Sequence, residues 1–184
     1  MSIMQQKAIQ VRDMAFIALF TAMICAVAPI SFAIGPIPLS FATLAVYLAV
    51  GALGWKNGVI SVLLYVALGA MGLPVFTNFE GGFHKIVGVT GGYIIGYIPC
   101  ALAIGIVVEV FRKKFFSYIF GMVIGTVLLY TCGTAWFVIQ TGNSLAVSLG
   151  LCVTPFLIGD TIKIILACMI VPQLQNALAR VMQN

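Results

Sequence analysis

Few residues in this 184-residue chain can do chemistry: nine lysines and arginines, four aspartates and glutamates, and one histidine. Two of these charges, Asp160 and Lys163, lie inside the apolar run from Thr154 to Pro172, which is long enough to cross a bilayer. Three positions apart on a helix, they share a face, one turn apart. A charge in hydrocarbon is costly, so such residues face a bundle interior or a watery cavity, where they pair or meet a ligand. An aspartate accepts hydrogen bonds from N–H groups, and a lysine donates to a carbonyl or pairs with a carboxylate. The pair therefore suits a small ligand with urea- or amide-like atoms, or an acid. The competing reading is an internal ion pair that neutralises itself and fixes helix packing.

Catalysis finds little support. No phosphate-loop motif G-x-x-x-x-G-K-[ST], no H-E-x-x-H and no G-x-S-x-G elbow occurs. A single histidine excludes multi-histidine metal or haem sites, and no nucleophile has a base at a workable spacing. The five cysteines are scattered without a Cys-x-x-Cys, so neither a metal site nor a disulfide framework is indicated.

The elements that must position the pair are membrane helices. With 62% hydrophobic and 7% charged residues and a mean hydropathy of +1.19, the chain cannot build a water-facing surface. It reads as an all-α integral membrane protein of one transmembrane domain. Spans are expected at about residues 14–29, 39–53, 58–71, 91–110, 115–139 and 154–172, a number the length allows. The first ten residues read as a cytoplasmic tail without a cleavage-like site, and residues 173–184 as a polar amphipathic tail. Six spans put both termini on one side, together with Lys7, Arg12, Lys56, Arg112, Lys113, Lys114 and Arg180. The positive-inside rule makes that side cytoplasmic. This placement accounts for the net charge of +5 and removes any need for a nucleic-acid partner; membrane lipid is the expected surrounding. Asp160 and Lys163 are then expected two to three turns inside the outer end of the last helix, reachable from outside.

Two outer segments are irregular. Ser31–Ser40 carries Gly35-Pro36-Ile37-Pro38, whose prolines exclude helix. Gly72–Tyr93 is glycine-rich and too long to be a mere connection, so it reads as a lid or binding loop. It holds Asn78, Glu80, His84, Lys85 and Thr90-Gly91-Gly92-Tyr93. Glu80 either hydrogen-bonds ligand N–H groups or faces water. Tyr93 is a pocket wall or an interfacial anchor. His84 and Lys85 are solvated loop residues, or else attract an anionic ligand to the mouth. On the first span, Ala18, Ala22 and Ala26 form a small-residue stripe, which packs within the bundle or docks another membrane protein. Gln140–Ser148 is expected to be an uncharged loop.

Four motifs in this order and spacing resemble the BioY family: Gly35-Pro-Ile-Pro38, Gly72-Leu-Pro-Val-Phe76, Thr90-Gly-Gly-Tyr93 and Pro155-Phe-Leu-Ile-Gly-Asp160-x-x-Lys163. The resemblance runs from about residue 12 to 172. Members are the biotin-specific substrate-binding subunits (S components) of energy-coupling factor transporters in prokaryotic cell membranes. The resemblance implies a six-helix fold with a biotin pocket near the outer surface, capped by the loops after the first and third helices. It implies a transmembrane coupling subunit (T component) and two ABC ATPases as partners, with Ala18, Ala22 and Ala26 docking the former. No cofactor and no metal is implied. Asp160 and Lys163 match the family's polar pair, and Thr90, Gly91, Gly92 and Tyr93 its pocket-lining turn. Thr43 counts among the substrate-binding residues, and Asn78 or Glu80 takes the place of an asparagine found in some relatives. Where some relatives carry a basic residue after the tyrosine, this chain has Ile94.

Two poses are open for the ligand. Asp160 and Lys163 hold the ureido ring with the carboxylate at the mouth, or Lys163 neutralises the carboxylate. The first is favoured, because burying a neutral ring costs less than burying a carboxylate. The alternatives to biotin capture are an S component for another small vitamin and a stand-alone proton-coupled carrier using Asp160 and Lys163.

Overall fold

The computed structural model describes residues 3–32, 37–111 and 114–183. Gly35 and Pro36 of the proline loop, and Arg112 and Lys113 of the basic stop, lie outside them. Among the described residues the chain is helical apart from one two-stranded ribbon. The helices are α1 (Ile3–Val27), α2 (Ala42–Leu53), α3 (Trp55–Ala70), α4 (Phe83–Val87), α5 (Gly91–Val110), α6 (Phe115–Thr141), α7 (Leu145–Cys152) and α8 (Phe156–Gln183). Three of them, α5, α6 and α8, are long and apolar enough to cross a membrane. At 1.5 Å per residue, α2 and α3 span about 18 and 24 Å, short of a full hydrocarbon core.

The short helix α2 is the centre of the molecule: it touches α1, α3, α5 and α8. Ala42, Thr43, Ala45, Val46, Tyr47, Ala49, Val50 and Gly51 are buried, as expected for a helix that is apolar on every side. Around it lies a core that includes Ile24, Tyr65, Ile104, Met122 and Val171. The α5 and α6 helices share the most extensive contact in the bundle. A side chain at Gly92 would collide with Trp136, and its Cβ would stand 2.8 Å from the Cys132 carbonyl oxygen.

Several segments differ from the sequence reading. The first helix begins at Ile3, so the polar start belongs to a helix. The proline loop is a ribbon in which β1 (Ser31–Phe32) pairs antiparallel with β2 (Leu39–Ser40). The glycine-rich lid contains a 3-10 turn, Thr77–Phe79, and the helix α4. Residues 145–152, half of them expected as loop, form α7: Gly142, with φ of 70°, ends α6, and Ser144 caps the next helix by accepting from the Val147 N–H at 3.4 Å. Finally, α8 continues through Pro172 to Gln183. Gln175 holds this extension in place by donating to the Gly51 carbonyl and the Tyr118 hydroxyl, both at 2.7 Å.

Candidate functional site

Thr154 and Pro155 form a turn, and α8 starts at Phe156. Asp160 is therefore about one turn into the helix and Lys163 about two, shallower than expected. Both side chains point into the bundle and are only 4% and 5% exposed. The Lys163 ammonium donates to Asp160 Oδ1 at 2.7 Å, to Thr43 Oγ1 at 3.0 Å and to the Ser40 carbonyl at 2.8 Å. All three of its protons are thereby used. Thr43 in turn donates to Asp160 Oδ1 at 3.4 Å, and the Tyr130 hydroxyl donates to Oδ2 at 2.6 Å. Four elements thus meet at one ion pair: α2 and α6 bond the carboxylate, and β2 accepts from the ammonium, both charges standing on α8. Two charges this deep persist only because each is hydrogen-bonded as well as paired.

Asp160, Lys163 and Thr43 form the floor of a pocket whose empty space, open mouth included, is about 500 Å³. Its walls are apolar and aromatic: Ile37, Leu39, Tyr93, Ile94, Tyr97, Leu129, Tyr130 and Phe156. Tyr93 stands on the first turn of α5. Its hydroxyl donates to the Cys152 carbonyl at 2.9 Å, and its ring packs over Gly133, where any side chain would collide with it. The ring faces the cavity while its polar tip is occupied.

The remaining expected residues divide. Thr90 lines the pocket directly. Gly91 and Gly92 do not; they are packing residues, since a side chain at Gly91 would strike the Ile86 carbonyl. Asn78 and Glu80 line a second cleft of about 750 Å³, which shares Pro38, Thr77, Thr90 and Ile94 with the pocket and so forms its vestibule. Glu80 pairs there with Lys85, and Asn78 Oδ1 accepts from the Ser31 hydroxyl at 2.6 Å. That bond ties the lid to the ribbon. Ala18, Ala22 and Ala26 all lie exposed along α1.

Tyr130 and Ser40 were not expected. A tyrosine in mid-span needs a partner for its hydroxyl, and that signal points to Tyr130. Ser40 contributes a backbone carbonyl, which no residue type announces.

Known proteins resemble this chain over nearly all of its length. The model of the BioY family matches residues 4–180. A biotin transporter BioY of Thermotoga maritima is 39% identical over 86% of this chain and 92% of its own. A probable biotin transporter BioY of Pyrococcus horikoshii is 36% identical over 90% of this chain and 97% of its own. Among solved structures, the S-component for biotin from an ECF-type ABC transporter superposes with a TM-score of 0.84 at 29% identity, covering 96% of this chain and 95% of that one.

Proposed function

The chain belongs to the BioY family, and from that membership we propose that it captures biotin at the outer face of a prokaryotic cell membrane as the S component of an ECF-type transporter. The observation that carries this reading is the buried carboxylate–ammonium set at the floor of a mostly apolar and aromatic pocket. Biotin has a ureido ring with two N–H donors and one carbonyl acceptor, a thioether ring and an aliphatic chain ending in a carboxylate. Asp160 Oδ2 accepts one hydrogen bond from Tyr130 and keeps room for a ligand N–H. Lys163 meets the ureido oxygen by giving up one of its present acceptors. The thioether ring and chain suit the walls of Tyr93, Ile94, Leu129 and Phe156. Depth favours the ring over the acid end, because the buried Asp160 carboxylate would repel a second one.

In this reading α1, α2, α3, α5, α6 and α8 are the six membrane crossings of a single transmembrane domain, with both termini in the cytoplasm. The ribbon and the α3–α5 segment cap the pocket from outside. The exposed alanine stripe of α1 docks a transmembrane coupling subunit, and two ABC ATPases supply the energy. The test is a calorimetric titration of the purified protein, without ATP, against a panel of water-soluble vitamins. Biotin alone is expected to bind tightly; equal affinity for biotin and an unrelated vitamin would sink the proposal.

A further inference from the structure

The buried floor leaves the acid end of the ligand unmatched, and the vestibule offers it a partner. Its walls carry one lysine, Lys85, on the single-turn-and-a-half helix α4. The backbone fixes that helix firmly. Gly82 begins it with φ of 102° and donates its N–H to the Gly69 carbonyl at 2.7 Å, a conformation that favours glycine. At the other end, Trp136 Nε1 donates to the Gly88 carbonyl at 2.9 Å. Lys85 is therefore held over a cleft that opens directly into the pocket through Thr77, Thr90 and Ile94. Its ammonium pairs with a carboxylate already, that of Glu80, and the two side chains keep 30% and 44% of their surface exposed. A partly exposed ion pair contributes little and exchanges readily.

Resting on the biotin reading of the pocket, we propose that Lys85 binds the ligand's carboxylate, with Glu80 holding its place when the pocket is empty. The ligand's acid displaces one carboxylate by another of the same charge, so Lys85 is never unpaired. Glu80, nearly half exposed, turns to water. Lys85 thus acts as a specificity residue that separates the acid from its neutral derivatives, while the ring is read at Asp160.

The experiment is calorimetry on the full-length protein with biotin and with its uncharged primary amide. The wild type is expected to prefer the acid by about tenfold. Lys85→Gln should weaken biotin to the level of the amide and leave the amide within about twofold of its wild-type value. Lys85→Arg should restore the preference, since a guanidinium also pairs with carboxylates. Glu80→Gln, which removes the competing acid, should strengthen biotin by about threefold and not the amide. Equal loss of acid and amide in Lys85→Gln would make the residue a mere support of the lid and overturn the proposal, as would an unchanged acid-to-amide ratio. Absence of biotin binding in the wild type would instead overturn the function proposed for the pocket.

Discussion

Asp160 illustrates how much one buried atom pair can govern. Replacing it with asparagine keeps the shape but removes the charge that balances Lys163 at 5% exposure. Breaking a buried pair from one side typically costs about 3–5 kcal/mol, whereas replacing both members by neutral groups is often neutral or stabilising. Asp160→Asn is therefore expected to lower the melting temperature and to weaken biotin and biotin methyl ester together, by at least about tenfold. The double variant Asp160→Asn/Lys163→Met should recover the melting temperature without recovering binding. Thermal melts beside calorimetry check both statements, and a double variant as unstable as the single one would contradict them. Tyr130→Phe removes a hydrogen bond to a charged acceptor, worth about 1.5–3 kcal/mol. A loss of affinity near tenfold is the expected calorimetric result. At this scale the sequence was informative wherever a charge stood out against hydrocarbon, as at Asp160 and Lys163. It was silent on Ser40, whose part is played by a backbone carbonyl.

The helices place these atoms through close approach more than through bulk. Gly92 lets α5 lie against Trp136 and Cys132 of α6, and this contact brings Tyr93 and Tyr130 to the same cavity. Gly92→Ala is expected to destabilise the protein by about 1–3 kcal/mol, because the added methyl group overfills a packed contact. An unchanged melting temperature in detergent would mean that the two helices are not so tightly apposed. The long spans were readable because α5, α6 and α8 are apolar over enough residues to cross a membrane. The short elements were not. Residues 83–87 are too few, and lie among glycines, for their apolar spacing to stand out, and 145–152 carry no charge, so α7 lacks the contrast between faces from which a helix is read. The 3-10 turn escapes for another reason: Asn78 and Phe79 adopt φ of 63° and 57°. Asparagine tolerates this region, but a bulky residue rarely enters it.

Across the whole molecule, the pocket is lined from β2, α2, α5, α6 and α8, and the alanine stripe lies on α1. Ligand capture and partner docking should therefore separate by mutation. Ala18→Phe is expected to leave biotin affinity of the isolated protein within about twofold, since an exposed substitution rarely disturbs a distant site. The same change should abolish ATP-driven uptake in vesicles that also hold the coupling subunit and ATPases. Loss of affinity in the isolated protein would show that the stripe supports the pocket instead. The completed ion set has one more consequence. With no ligand present, Asp160 is already balanced by Lys163 and Glu80 by Lys85. A vacant subunit is therefore expected to reorient with no net charge at either site, and a loaded one with only the vitamin's own negative charge. Transport stoichiometry should be one negative charge per biotin with no coupled cation, and uptake at fixed ATP should not respond to an imposed pH gradient.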